Sequence, residues 1–376
     1  MERGIFLRKQ DSYKSILGIL LLIYIGGVVM LNMVSTDKVF SEAENRRLEQ
    51  APTLSTSQVM DGRFTTNYEK YVSDQFPLRD FWVGVKSKSE KALGKKENNG
   101  VYLARDGYLM EKFEKPEEKH LKSKVDEINS NFSNMPNVDA FFILVPNSVK
   151  VLEDKLPPYA PAADELIYIN KVKESLDDNI NFVDIYDTLY ANKDEYIYYK
   201  TDHHWTTKGA YLAYEKLMEN MGIEPHGEDY FHIKKVTDSF YGSLYSKSGF
   251  RNIDPDSIEL YIPKKEEVSK VEFVEEGKVS DSIYDMENLD KKDKYTVFLG
   301  GNHPLIKINT NINNGKKLLI IKDSYANSFI PFLTGHFSEI YVVDPRYYDK
   351  DLKILVDDNK IDNLLIMYNV KTFLND

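Results

Sequence analysis

Cysteine is absent from all 376 residues. That excludes a disulfide framework, thiolate metal sites and a cysteine nucleophile. Histidine is scarce at 7 and tryptophan scarcer at 2, so imidazole chemistry has few places to sit. Positive charge is also short: 49 Lys and Arg against 60 Asp and Glu leave a net charge of −11. Nucleic-acid binding needs a basic footprint, and no run of Lys and Arg interleaved with aromatics occurs, so that class is excluded. There is no H-x-x-x-H spacing, internal repeat or low-complexity tract. Apolar residues make up 42% and charged residues 29%, enough for a sizeable core. The 26 Tyr and 19 Phe suit a core or sugar stacking, and composition alone does not choose.

One long apolar run is present. From Ser15 to Val34, "SILGILLLIYIGGVVMLNMV" carries no charge and matches the ~20 residues a helix needs to cross a bilayer. Arg3, Arg8, Lys9 and Lys14 precede it, and Asp37, Glu42 and Glu44 follow. The positive-inside rule places the N-terminus in the cytoplasm and the chain beyond about residue 36 outside. A cleaved signal peptide is the rival, but its apolar region is normally ~7–15 residues with a small-x-small site, and "LNMVSTDK" is a poor one. We therefore expect a retained single-pass anchor in the cell membrane over residues 1–36. A stalk is expected at 37–60 and an extracellular domain over 61–376.

Residues 61–93 read as helix interrupted at Pro77, and "GVYLARDGYLM" (100–110) as a hairpin turning at Asp106-Gly107. Leu121, Val125, Ile128 and Phe132 form the apolar stripe of a helix over 117–132. "VDAFFILVP" (138–146), a helix over 163–176 and "INFVDIY" (180–186) give strand–helix–strand, the α/β signature with a mainly parallel sheet. "TTKGAYLAYEKLMENMG" (206–222) is a helix capped by Thr206 or Thr207. Residues 225–295 read as an insertion. Further strands are expected at "YTVFLGGN" (295–302), "KKLLIIKDS" (316–324), "SEIYVVDP" (338–345) and "IDNLLIMYNV" (361–370), with helical "YANSFIPFL" and "DKDLKILVDD" between the later ones.

Sites in open α/β sheets lie beyond the carboxyl ends of strands. That rule selects Ser324 after "LLII", Gly300, Gly301 and Asn302 after "TVFL", Asp344 and Arg346 after "IYVV", and the segment Asp202–His203–His204–Trp205. A serine, an imidazole, an acid and a donor loop are the parts of acyl transfer through a serine ester. In an extended segment, Asp202 and His204 share a face and His203 points away. Asp202 then orients His204 through Nδ1, and Nε2 is the base that activates Ser324. The start of a helix after Ser324, its own N–H, the Gly301 N–H and the Asn302 amide are candidate oxyanion donors. "YGSLYSKSGF" (241–250) reads either as a polar loop or as a substrate loop using Tyr241, Ser243 and Lys247. Arg346 is a further substrate-binding candidate. Asp323 reads as a cap or ion-pair partner and Trp205 as packing. Metal binding at "DHH" is disfavoured, because adjacent histidines on opposite faces chelate one ion poorly; no metal or cofactor is expected.

"TDHHW", "KDSYANSF" and "VVDPRYY", behind "SEAENRRL", "DGRF" and "DQFPLRD", resemble the DHHW proteins, relatives of the alginate O-acetyltransferases in the SGNH hydrolase-like group. The resemblance runs from about residue 37 to 370. It implies an SGNH hydrolase-like three-layer α/β sandwich with permuted motif order. Lys322 stands where that group has the glycine of Gly-Asp-Ser, and the histidine precedes the serine. The family's Asp, His and Ser fall on Asp202, His204 and Ser324. The resemblance further implies a surface enzyme that moves acetyl groups to exopolysaccharide hydroxyls. It would work beside a membrane-bound O-acyltransferase donor and a polysaccharide synthase complex. An acetyl esterase and an inactive glycan-binding accessory of the same fold are the alternatives.

Overall fold

The computed structural model describes residues 2–375 other than 42, 43, 45, 134, 136 and 266. Glu42 of the acidic flank and Asn45 of the "ENR" stretch lie outside the described residues. The chain divides into two compact units at Leu93/Gly94.

The first unit opens with helix α1 (Glu2–Val34). Within it, Tyr13–Val34 is long and apolar enough to cross a membrane, and none of its apolar window is buried. Helices α2 (Arg63–Asp74) and α3 (Arg79–Ala92) follow. Between them Pro77 breaks the ladder and Leu78 takes a left-handed turn with φ 55°. The stretch expected as a stalk has structure of its own. Phe40–Ser41 pairs with Arg46–Arg47, Arg46 forks onto Asp74 at 2.8 and 2.6 Å, and Gln75 bonds both the N–H and the carbonyl of Lys38.

The second unit is built on one eight-stranded sheet. Its strands in chain order are β1 (Asp139–Val145), β2 (Ile180–Phe182), β3 (Val268–Phe273), β4 (Lys278–Ser280), β5 (Leu305–Thr310), β6 (Lys317–Lys322), β7 (Glu339–Val343) and β8 (Asn363–Asn369). They lie in the order β4-β3-β5-β7-β6-β8-β1-β2. β7, β6, β8, β1 and β2 run parallel, and β5, β3 and β4 extend the sheet antiparallel. Ala140–Val145 and Leu318–Lys322 are buried at every position, so both faces of the sheet are covered. This explains why these strands read as unbroken apolar runs rather than as alternation. Helix α4 (Glu118–Ser133) buries Leu121, Val125, Ile128 and Phe132, the stripe expected of it. Helices α5 (Glu165–Ser175) and α6 (Thr207–Asn220) also fall where the periodicity puts them. Thr206 caps α6, its hydroxyl accepting the Gly209 N–H.

The structure corrects four expectations. "YTVFLGGN" is not a strand: Lys294–Val297 is a 3-10 turn, and Leu299, Gly300 and Gly301 have φ of 60°, 72° and 111°. No strand passes through three consecutive left-handed residues; β5 begins only at Leu305. The second strand stops at Phe182 because Tyr186–Ala191 turns helical. Residues 225–295 are an insertion only in part. Phe231–Phe240 and Asp256–Pro263 form a separate two-stranded ribbon, while β3 and β4 join the main sheet. "YANSFIPFL" winds as two short 3-10 turns, Ser324–Ser328 and Ile330–Leu333, rather than an α-helix.

Phe142 is fully buried in β1, between the rings of Phe182 and Phe373. Phe142→Ala is expected to cost about 3–5 kcal/mol, read as a lowered urea midpoint with unchanged slope for the full chain in detergent.

Candidate active site

The carboxyl ends of β6, β8 and β1 meet at one edge of the sheet, and Ser324 sits there. Asp323 shapes the turn. One carboxylate oxygen accepts the Tyr325 N–H at 2.9 Å and the other the Asn369 N–H at 2.8 Å, tying β6 to the end of β8. Tyr325 donates its phenol to the carbonyl of His203 and to Asn147 after β1. Asn147 is held in turn by the buried Glu165, whose carboxyl burial pushes up to about 7. From Ile321 to Thr334 only Ser324 keeps some exposure.

The Asp202–Trp205 segment is pinned from three sides. Tyr198 pairs antiparallel with Trp205, so the chain doubles back in a tight loop. Asp256 receives the N–H groups of Lys200 and Thr201 at 2.8 and 2.7 Å. The indole N–H of Trp205, fully buried, donates to the Tyr325 carbonyl at 3.0 Å and the Ser328 hydroxyl at 3.1 Å. These bonds fasten the loop to the Ser324 turn. His204 Nε2 then lies 2.8 Å from Ser324 Oγ across 120 residues of chain, and His204 Nδ1 lies 2.6 Å from Asp202 Oδ1. With Asp202 accepting Nδ1–H, the Nε2 lone pair faces the serine hydroxyl.

The backbone of this loop is not extended, so the opposed facing of the two histidines does not hold. The His203 ring lies 3.8 Å from the His204 ring, and its Nδ1 is 2.7 Å from Ser243 Oγ. Asp202, His203 and His204 each present a possible ligand atom within 4.8 Å of the others. The two imidazoles therefore do not face opposite ways, and their adjacency does not keep them from one ion. A cation here would have to compete with the bonds that His204 makes to Asp202 and Ser324 and with that of His203 to Ser243.

The other candidates separate. Gly301 has its N–H committed to the Phe298 carbonyl at 3.1 Å, so it is no oxyanion donor. Asn302 turns its carbonyl oxygen to Lys322 at 2.8 Å and to Asn327 at 3.2 Å. The helix dipole expected behind Ser324 is missing, since the turn that follows is a five-residue 3-10 segment. Ser324 N–H has no acceptor among the described residues. Lys247 pairs with Glu111 instead of facing the loop. Arg346 forks onto Asp344 at 2.9 and 2.6 Å. The Tyr241 ring lies tilted against Tyr245 with centroids 4.4 Å apart, in the segment whose Ser243 N–H donates to Asp202 at 2.7 Å.

Tyr295 is a residue that sequence reasoning missed. Its ring lies flat on His204 with centroids 3.8 Å apart and planes 10° apart, and its phenol reaches Ser328 and the Ser324 carbonyl, each at 3.1 Å. Reading 295–302 as a strand concealed it. Burial pushes the Tyr295 phenol well up, keeping it a proton donor.

Burial dominates the electrostatics. It lowers the His204 imidazole from 6.5 to about 4, with His203 acting in the same direction and Asp202 opposing. Burial alone would raise Asp202, but the neighbouring His203 and His204 and the Ser243 N–H outweigh it and hold the carboxyl far below the usual range. His204 is thus a neutral acceptor, and Asp202 a charged one, throughout the neutral range.

A family model described as DHHW protein matches residues 140–343. The crystal structure of a DHHW family protein from Eubacterium siraeum is similar: 26% identity over 74% of this chain and 94% of that one, TM-score 0.63. Bacillus cereus PatB1, solved with a sulfonyl adduct, shares the fold at 20% identity over 73% and 96% of the two chains, TM-score 0.63. The O-acetyltransferase domain of Pseudomonas putida AlgJ superposes more loosely, at 15% identity over 74% and 93%, TM-score 0.46. Among curated proteins compared by sequence, none matches.

Two outcomes follow from this geometry. The His204 ring, read by NMR, is expected to titrate near about 4. Because its folded value lies below 6.5, its contribution to stability is full above pH 6.5 and is lost as pH falls through about 4. A Cβ on Gly242 would meet the Asp202 Cβ at 2.3 Å and its carboxylate at 2.4 Å. Gly242→Ala should therefore cost about 1–3 kcal/mol in urea unfolding and raise that His204 midpoint by displacing the loop over it.

Proposed function

The chain belongs to the DHHW protein family, and from that premise and the site's geometry we propose that it is a surface O-acetyltransferase acting through Ser324. The carrying observation is the line Asp202–His204–Ser324, with bonds of 2.6 and 2.8 Å. A carboxylate, an imidazole and a hydroxyl in that order are what an activated serine requires.

In the first half-reaction His204 Nε2 takes the Ser324 hydroxyl proton as Oγ attacks the carbonyl carbon of an acetyl ester. The resulting oxyanion is met by the unpaired Ser324 N–H and the Asn302 amide. The tetrahedral intermediate collapses, the leaving oxygen takes the proton from His204, and Ser324 carries the acetyl. In the second half a sugar hydroxyl gives its proton to His204 and attacks that ester. Ser324 leaves and regains the proton from His204. Throughout, Asp202 holds the ring in one tautomer and stabilises the imidazolium that forms transiently. The depressed imidazole is unprotonated at neutral pH, so its Nε2 lone pair is free to accept the serine proton.

In this reading residues 61–376 are the extracellular catalytic part, with the triad in the unit that begins at Gly94, and α1 tethers it to the cell membrane with the N-terminus in the cytoplasm. The acceptor is an exopolysaccharide. The acetyl donor is supplied across the bilayer by a membrane-bound O-acyltransferase beside a polysaccharide synthase complex. These partners rest on family membership and on the apolar helix; the serine chemistry rests on the triad.

Phenylmethylsulfonyl fluoride tests the chemistry, because sulfonyl fluorides modify activated serines. Full-length protein in detergent is expected to gain one sulfonyl group, mapped to Ser324 by peptide mass spectrometry. Ser324→Ala abolishes the label and His204→Ala slows it on the order of 10³-fold or more. A label elsewhere, or one retained in His204→Ala at the normal rate, overturns the assignment. Incubation with p-nitrophenyl acetate and oligosaccharides then distinguishes acetylated sugar, the expected product, from release to water alone.

A further inference from the structure

We propose that Lys322 is a positioning residue that acts through Asn302, holding its amide N–H₂ toward the open side of the Ser324 turn. The inference rests on the serine-ester reading above and names a part of that site.

Lys322 ends β6, two residues before Ser324, and its side chain is completely buried. A buried ammonium is costly unless something compensates it. The nearest carboxylate does so only loosely: Asp344 stands 3.7 Å away and is already gripped by the two-pronged Arg346. The short bond from Lys322 goes to a neutral acceptor, the Asn302 side-chain oxygen at 2.8 Å. A second donor reaches the same oxygen, the Asn327 amide at 3.2 Å, from a buried residue of the Ser324 turn. Residues two before and three after the serine thus converge on one carbonyl.

That convergence fixes which way the Asn302 amide points. A flip would set its N–H₂ against an ammonium and another N–H₂, donor against donor. The N–H₂ is therefore held on the far side of the group, where it has no acceptor among the described residues. The loop that delivers Asn302 is held in a demanding conformation, with left-handed Leu299, Gly300 and Gly301 in succession. A left-handed non-glycine residue costs roughly 1–2 kcal/mol. The same stretch lays Tyr295 on His204. An ammonium bonded to the amide oxygen also polarises the amide, making its N–H₂ a better donor to a developing oxyanion. Burial lowers Lys322 to about 8, with Asp344 and Asp323 opposing and Arg346 reinforcing, so the charge persists at neutral pH.

A double-mutant cycle on the full chain in detergent tests this, reading kcat and KM for p-nitrophenyl acetate and the rate of Ser324 sulfonylation. Asn302→Ala and Lys322→Met are each expected to lower kcat and the sulfonylation rate by on the order of 10²-fold with KM changed less than twofold. The double variant should be no slower than Asn302→Ala. Losses that multiply in the double variant, or a Lys322→Met protein with unchanged rates, overturn the proposal. Asn302→Asp guards against misfolding of the Met variant, since it keeps a partner for Lys322 but removes the donor. It is expected to melt no lower than wild type yet lose as much rate as Asn302→Ala; full activity in that variant also overturns the proposal. Failure of wild-type Ser324 to react at all would instead remove the serine-ester reading.

Discussion

The bond from the Trp205 indole to the Tyr325 carbonyl spans 120 residues of chain and holds the two halves of the site at a fixed distance. An imidazole and a hydroxyl stay at hydrogen-bond range only while the backbones that carry them keep their separation. Trp205 provides that on one side. Its rigid ring is enclosed by the core, so the single donor it carries has one direction available. On the other side Asp323 ties the Ser324 turn to β8, and β8 is registered residue by residue against β1 and β6. The accuracy of the site is thus inherited from the parallel part of the sheet. Two elements carry it: a loop fastened by a tryptophan and a turn fastened by an aspartate.

Much of this was legible in the residues. The strands buried on both faces announce themselves as apolar runs, and the stripe Leu121–Phe132 places α4 to within a residue. The strand-end rule picks out Ser324, and the i, i+2 spacing pairs Asp202 with His204, which the structure does bring together. The spacing succeeds there for a different reason from the one it assumes. Asp202 also accepts the His204 backbone N–H, a local turn that aims the carboxylate at the ring two residues on. Turn chemistry of that kind works over two residues and cannot say where His203 goes. Its position depends on Ser243, which is distant in sequence. Positive φ is equally hidden: Leu299 carries no signature of a left-handed turn, so the apolar stretch reads as a strand and nothing in it marks Tyr295 as a neighbour of His204.

The site is dry on the protein side. His204, Asp202, Trp205 and Lys322 are all buried, whereas Ser324 and His203 are partly exposed and Asn302 is exposed. In such surroundings charges are weakly screened, so each ion is matched by oriented dipoles or an opposite charge. The buried lysine beneath Asn302 and the neutral imidazole beside Asp202 are two responses to one condition. Where a partner can be placed, the ion is retained; where the ring needs both nitrogens for other work, it stays uncharged.

The margins of the large sheet are three-residue strands, β2 on one side and β4 on the other, and β4 is largely exposed with a lysine at its start. Strands so short leave few unsatisfied backbone groups for a neighbouring polypeptide to zip onto. At the two borders of the large sheet a crowding copy therefore finds little backbone to pair with, by truncation of the border strands.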